Sequence, residues 1–400
     1  MLGALADGAG TVENLLRSAD VESTANVLRT LGVRIDLDGG YATVYGLGLG
    51  RLAPPAVPLD CGNSGTTTRL MAGIVAAHPF EARFIGDASL SRRPMRRVAE
   101  PLEAMGARVT LEGGDGLPMT VHGATLHSIG WTSRTASAQI KSCILLAALT
   151  ARIPVTVTEP RLSRDHTERM LRARGVEVTV DGSTVSLGVA REFPAMPVTV
   201  PGDPSSAAFF VALAAMLPDA EVRLPDVCLN PTRTAFMNVV QRMGVPLESA
   251  EGACTMGGEP VGTVVARSAP HLRAVSVGAD EIPAMIDEVP ILAALATRAD
   301  GETVVTGARE LRVKESDRIA AVVSNLRAIG AEAEELEDGL IVRGSDRPLR
   351  GSVVTHGDHR LAMAFGVLGA LPGNDVTVDD PDCVAVSYPA FWDDLRRVSS

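Results

Sequence analysis

The chain has 400 residues, 46% of them hydrophobic and 21% charged, and carries a formal net charge of −11. That length exceeds what one hydrophobic core usually serves and predicts two domains, and the acidic balance argues against a broadly basic nucleic-acid surface. Cys61, Cys143, Cys228, Cys254 and Cys383 are odd in number and show no C-x-x-C spacing, which disfavours a disulfide framework or a zinc site and suits a reducing cytosol.

Residues 1–8 have no positively charged stretch, so no signal peptide is expected. The longest apolar run, 207–217, is too short to span a bilayer. The sequence is therefore read as a cytoplasmic protein without membrane contact. With only 3% aromatic residues, its cores must be Ala, Val and Leu.

An amphipathic stretch, a glycine and an extended segment recur along the chain. The pattern appears around Gly32, Gly106, Gly175, Gly244 and Gly330. Each glycine is expected in the left-handed conformation that ends a helix, with a strand following. Copies lie roughly 70–85 residues apart, a period that implies several strands and helices per repeat. A terminal helix near Phe391-Trp392 could belong to a sixth copy. The Pro/Gly punctuation at 197–204 divides the copies three and three, predicting domains at 1–200 and 201–400 with a cleft between two equivalent lobes.

In chain order, Cys61-Gly62-Asn63-Ser64-Gly65-Thr66-Thr67-Thr68-Arg69 precedes an apolar helical run from Leu70. Small residues entering a helix let backbone N–H groups approach an anion. The spacing is not that of a nucleotide P-loop, and an ordinary capped helix would also fit. Next, residues 91–97 hold four arginines. Arg93 would stand at a helix entrance, while Arg96 and Arg97 fit a solvated helix end. Ser137-Ala138-Gln139 opens another helix with groups suited to a phosphate ester or polyol. Asp287-Glu288 precedes an apolar helix at 289–296, where a carboxylate is a cap or, less commonly, a catalytic base. Lys314 and Arg318, four apart, are placed on one helical face. Between them Glu315 is a candidate acid/base. His356-Gly357-Asp358-His359-Arg360 lacks further nearby ligands for a metal site. Asp358 is read instead as a helix cap, with Arg360 projecting into the cleft.

Of 37 basic residues only two are lysine, Lys141 and Lys314. Lysine offers a compact charge with an adjustable pKa that arginine cannot supply. Each ammonium is therefore expected to touch a ligand.

The ordered set G-N-S-G-T-T-T-R, S-R-R-P-M, S-A-Q-I-K-S, V-K-E-S-D-R and G-D-H-R resembles the 5-enolpyruvylshikimate-3-phosphate synthases, the 3-phosphoshikimate 1-carboxyvinyltransferases of aromatic amino-acid biosynthesis. The resemblance extends to about Phe391. More narrowly, Ser137-Ala138-Gln139 and Val386-Ser387-Tyr388-Pro389 resemble the glyphosate-insensitive or Gram-positive-like branch. The resemblance implies a two-lobed inside-out α/β barrel, each lobe of three βαβαββ repeats, closing on shikimate 3-phosphate and phosphoenolpyruvate. It implies a monomer that uses no metal or organic cofactor.

By position, Ser137, Ala138, Gln139 and Ser163 would hold shikimate 3-phosphate. Gly65 with the adjacent Thr66, Arg93, Gln139, Arg318 and Arg360 would hold phosphoenolpyruvate. Asp287 would accept the 5-hydroxyl proton, Lys314 would bind that hydroxyl, and Glu315 would serve proton transfer at C3. Gly65 leaves room beside phosphoenolpyruvate and argues for sensitivity to glyphosate.

Three departures accompany the resemblance. The family segment P-G-(D/S)-K-S-x-S-x-R is expected just before Met1, so a chain starting at an internal methionine, with poor activity or phosphate binding alone, is one alternative. Asp382 stands where some members carry a lysine, and Glu310 where one branch has an asparagine. A second alternative is the related UDP-N-acetylglucosamine enolpyruvyl transferase, which uses a reactive loop cysteine; Cys61 is the only candidate here.

Overall fold

The computed structural model describes residues 1–252 and 257–399. They form two compact units: Met1–Val200 with residues 257–259, and residues 201–252 with 260–399. Each unit has its own hydrophobic core.

The expected recurrence is present as structure. Helices Ala19–Thr30, Arg96–Ala104, His166–Ala173, Ala235–Arg242 and Arg318–Ala328 each run to within two residues of one of the five glycines, and a strand follows. The glycines have φ of 91°, 109°, 77°, 95° and 91° in chain order, the left-handed region that costs a residue without Cβ nothing.

In the first unit three four-stranded sheets share one topology. Leu59–Asp60 runs parallel to Glu81–Ile85, which pairs antiparallel with Met119–His122, and that strand with Arg108–Leu111. Gly130–Thr132, Val155–Thr158, Thr184–Leu187 and Val178–Asp181 repeat the order. So do Val198–Thr199, Asp7–Glu13, Tyr41–Leu47 and Arg34–Asp38, the first of these arriving from the far end of the unit. With the intervening helices, each sheet is a βαβαββ unit.

The second unit repeats the scheme with variations. Glu221–Cys228, Val261–Arg267 and Leu247–Glu251 form one sheet, and Gly202 adds a parallel bridge to Val227. Ser276–Val277, Glu302–Val305, Gly339–Arg343 and Glu332–Leu336 form a complete second copy. The third has Arg350–Val353 parallel to Asp375–Val378, followed by the helix Phe391–Ser399 in the place of a sixth copy's second helix.

Two kinds of helix explain which layer is inside. Gly65–Ala76, Ala138–Ala151, Pro204–Met216, Val289–Ala296 and His359–Gly369 are buried almost all round, as a helix apolar on every face must be. The five helices ending at the glycines are amphipathic and bury one stripe. Helices thus fill the centre of each unit and sheets clothe them. Scarce aromatic residues gather at one spot: Phe209, Phe210, Tyr388, Phe391 and Trp392 meet edge-on or tilted in the second unit. No helix among the described residues is long and apolar enough to cross a membrane. Cys61, Cys143, Cys228 and Cys383 form no disulfide with one another, and Cys254 lies outside the described residues.

Candidate active site

In the first unit the helix Gly65–Ala76 begins five residues before the apolar run that marks it in the sequence. The cause is Ser64, whose Oγ accepts the Thr67 N–H at 3.2 Å and caps the end. Gly65 and Thr66 therefore form the first turn, and Arg69 lies one turn on. Arg69 is buried. Its Nη1 donates to Gln139 Oε1 at 2.6 Å and its Nη2 to the Pro94 carbonyl at 3.2 Å. Gln139 Nε2 in turn donates to Thr66 Oγ1 at 3.0 Å. Arg93, also buried, donates from Nη2 to Asn63 Oδ1 at 2.7 Å. A Cβ placed on Gly65 would stand 3.0 Å from Arg69 Nη1 and 3.3 Å from Arg93 Nη1. Two guanidinium forks thus converge on the bare Cα of Gly65, at a helix N-terminus that already favours anions. Arg96 is exposed, in line with a solvated helix end.

Ser137 occupies the N-cap position of Ala138–Ala151, yet its side chain does not cap. Its backbone N–H is instead bound by Glu159 Oε1 at 3.0 Å. The same carboxylate accepts the Ser163 hydroxyl at 2.7 and 2.8 Å and the Ser163 N–H at 3.3 Å. Ala138 and Gln139 follow in the first turn of this helix.

The expectation for Lys141 fails. Its side chain is only 1% exposed, with Nζ 2.9 Å from Glu159 Oε2 and 2.8 Å from Glu168 Oε1. It is a counter-ion inside the fold, not a ligand contact. Burial alone would lower its pKa, but Glu168 and Glu159 outweigh that and hold it above the usual lysine value. Burial pushes Glu168 upward despite the lysine.

In the second unit Asp287 is the hub. Its Oδ1 lies 3.2 Å from Arg318 Nη1 and 3.6 Å from Lys314 Nζ. Arg360 Nη1 donates to the Asp287 carbonyl at 3.2 Å, and its Nη2 is 3.9 Å from Oδ2. Glu315 Oε2 lies 2.6 Å from Arg318 Nη2. Arg318 is 1% exposed and also donates from Nε to Asp358 Oδ2 at 2.8 Å. Burial opposes its charge, but Asp358, Glu315 and Asp287 more than compensate and raise its pKa. Burial likewise works against the Asp358 anion, and Arg318 reverses this to leave its pKa below the usual carboxylate value. Asp358 also accepts the Arg360 N–H at 3.0 Å, the expected cap of His359–Gly369.

Two placements differ from the sequence reading. Lys314 and Arg318 do not share a helical face, because Asp317 caps a helix that starts only at Arg318 and Lys314 ends the preceding 3₁₀ turn. They still converge, since both reach Asp287. Asp287 and Glu288 are not side-chain caps either: they lie in a 3₁₀ turn before Val289, and Glu288 accepts the Ser205 hydroxyl.

Three participants went unassigned in the sequence. Arg69 closes the G-N-S-G-T-T-T-R motif, and counting four residues on from Gly65 along the helix would have found it. Glu159 stands alone in a Glu-Pro loop and Arg233 in an Asn-Pro-Thr-Arg loop, with no local signal. Arg233 binds Asp203 at 2.9 Å and the Ser205 hydroxyl at 2.6 Å, beside Glu288. Asp382 is exposed. Cys61 is fully buried and its thiol is pushed up to about 12 by desolvation, the opposite of a reactive loop cysteine.

Comparison with known proteins places these features in a class. The enolpyruvyl transferase NikO of Streptomyces tendae shares the fold, with a TM-score of 0.77 at 18% identity over 99% of this chain and 90% of that one. EPSP synthase of Acinetobacter baumannii superposes with a TM-score of 0.86 at 39% identity, covering 100% of this chain and 92% of that one. The inside-out fold of enolpyruvyl transferases is therefore the fold of this chain.

Residues 1–395 match the family EPSP synthase (3-phosphoshikimate 1-carboxyvinyltransferase), and the chain belongs to that family. The 3-phosphoshikimate 1-carboxyvinyltransferase of Bacillus subtilis is 46% identical over 401 residues, covering 100% of this chain and 93% of that protein. That of Salinibacter ruber is 45% identical with the same coverage. The protein is accordingly a transferase, and the UDP-N-acetylglucosamine alternative is not favoured.

Proposed function

We propose that this chain transfers the enolpyruvyl group of phosphoenolpyruvate to the 5-hydroxyl of shikimate 3-phosphate, releasing phosphate. Its family membership supports the reaction. One geometric observation supports the residue roles: Asp287 meets Lys314, Arg318 and Arg360, with Glu315 on the same arginine.

The substrates carry two phosphates and a carboxylate, and both units supply matching groups. Ser137 and Ser163, with the free N–H groups of Ala138 and Gln139, receive the shikimate phosphate at a helix N-terminus. Gly65, Thr66, Arg93, Gln139, Arg318 and Arg360 receive phosphoenolpyruvate, the arginine forks matching its phosphate and carboxylate. A hydroxyl between Lys314 and Asp287 donates its proton to the carboxylate while the ammonium steadies the oxygen.

The oxygen then bonds to C2, and the C2–C3 π pair takes a proton from Glu315, giving a tetrahedral ketal phosphate. Cleavage of the C2–O bond to the phosphate sends its electron pair out with phosphate, which takes up the proton held on Asp287. Glu315 recovers a C3 proton as the double bond re-forms. Atoms and electrons balance with these groups alone. We place the protein in the cytoplasm, in keeping with the absence of a disulfide among its described cysteines, and take it to be a monomer as the family resemblance implies.

The test is phosphate release by the purified chain. Release should require both substrates together, and shikimate lacking its phosphate ester should be used about 100-fold or more less efficiently, because the anion site is left unpaired. Release from phosphoenolpyruvate alone, or none with both substrates, contradicts the proposal.

A further inference from the structure

Lys141, Glu159 and Glu168 form a buried group, and Lys141 and Glu159 bond to the Ser137 and Ser163 segments from the interior. Glu159 ties four things together. It binds the Ser137 N–H, the Ser163 N–H, the Ser163 hydroxyl and the Lys141 ammonium. Those two serines come from separate segments, one opening the Ala138–Ala151 helix and one in the loop before His166–Ala173. Lys141 Nζ also reaches the Ser163 carbonyl at 3.5 Å and Ser142 pairs with Thr167 at 2.7 Å, while Glu159 holds the Ser137 N–H and the Ser163 hydroxyl on one carboxylate.

We propose that Glu159 is a positioning residue for recognition of the shikimate phosphate ester, fixing Ser137 and Ser163 in register, and that Lys141, which it shares with Glu168, is its counter-ion. The inference rests on the functional reading above and extends it to residues to which that reading gives no role.

Three observations carry it. First, Ser137 sits at an N-cap with φ −138° and ψ 107°, yet its hydroxyl does not turn back to cap the helix. Anchoring its N–H to Glu159 orients that residue and leaves Oγ for another acceptor. Second, a carboxylate beside a phosphate site would repel the ester unless it were neutralised. Lys141, at 2.9 Å, does this from the buried side. Third, the role explains why a lysine persists in a chain that otherwise uses arginine: a compact ammonium fits between two carboxylates 1% exposed, where a planar fork does not. Ser163 spends its proton on Glu159 in this arrangement. When the ester binds, that hydroxyl rotates toward it, and Glu159 keeps its other three partners.

Glu168 provides the control. It touches Lys141 on the same buried face but is bonded to neither serine. Calorimetric titration of shikimate 3-phosphate should therefore separate the variants. Glu159→Gln and Glu159→Asp should each bind about 10-fold or more weakly, as expected for lost hydrogen bonds to a charged acceptor. Glu168→Gln should stay within about 3-fold of wild type, and KM for phosphoenolpyruvate should hold in all three. Glu159→Asp keeps the charge beside Lys141, so it decides the matter if the glutamine variant does not fold.

Unchanged affinity in folded Glu159 variants would overturn the inference. So would equal losses in Glu159→Gln and Glu168→Gln, or failure of both Glu159 variants to fold, since the group would then serve the fold alone. Absence of binding by the wild type is a separate result: it removes the functional reading first and this inference with it.

Discussion

Gly65 is where single atoms matter most. Arg69 is held by Gln139 and Pro94, and Arg93 by Asn63, so neither fork can retreat freely from an added methyl. Contacts of 3.0 and 3.3 Å require both to shift by a few tenths of an ångström. Gly65→Ala should raise KM for phosphoenolpyruvate by about 10-fold while leaving that for shikimate 3-phosphate within about 3-fold, because only the forks are displaced. Steady-state kinetics with each substrate varied checks this, and equal effects on both would contradict it. At this scale the sequence was legible where chemistry is local. Asp287, Glu315, Arg318 and Arg360 stand in compact motifs, and the structure brings them together. Lys141 was misread because scarcity says a residue is special without saying whether it faces a ligand or a core. Its two carboxylate partners lie 18 and 27 positions away, beyond the reach of any local pattern.

Among elements, the two buried helices Gly65–Ala76 and Ala138–Ala151 set the positions of Thr66, Arg69 and Gln139 in the first unit. They pack so closely that a Cβ on Gly73 would stand 2.2 Å from the Cys143 carbonyl oxygen. That atom is backbone and cannot step aside. Gly73→Ala should push the helices apart, cost about 1–3 kcal/mol in denaturant unfolding, and weaken phosphoenolpyruvate binding through the Arg69–Gln139–Thr66 chain that spans them. Wild-type stability in this variant would show the packing to be looser than described.

The repeat was legible for the same reason that Gly73 was not. A helix-ending glycine announces itself through its neighbours, whereas a glycine at a helix crossing is defined by a partner far along the chain. Capping explains the Lys314 error. Spacing of four suggests one helical face, but Asp317 starts the helix after Lys314 and a turn delivers the ammonium to Asp287 instead.

For the molecule as a whole, the second unit stores charge inside its core beside the proposed chemistry. His359 is pushed down to about 4, first by burial and then by Arg360 and Arg318, against the pull of Asp358 and Glu315. A histidine whose folded pKa lies below its unfolded value of about 6.5 is neutral in the fold and protonates more readily when unfolded. Its contribution is fully present above about pH 6.5 and is lost as pH falls toward 4, amounting to about 3 kcal/mol across that window. Thermal unfolding followed from pH 7 to 4 should show this decline, and His359→Gln should flatten it. An equal slope in the variant would contradict the assignment. The recurring helix–glycine–strand unit could be read from its period; the buried ionic interior could not, because it is assembled from segments that only the fold makes neighbours.

In the proposed reaction the Asp287–Lys314–Glu315 group performs the carbon–oxygen exchange, with Glu315 moving the C3 proton. Single-turnover formation of the carboxyvinyl ether in D₂O, followed by NMR, tests it most directly. Wild type should place deuterium at C3 of the product, and Glu315→Gln should form product about 10²–10⁴-fold more slowly with both substrates still bound. Product formed by Glu315→Gln at the wild-type rate, with the same deuterium content, would contradict the claim.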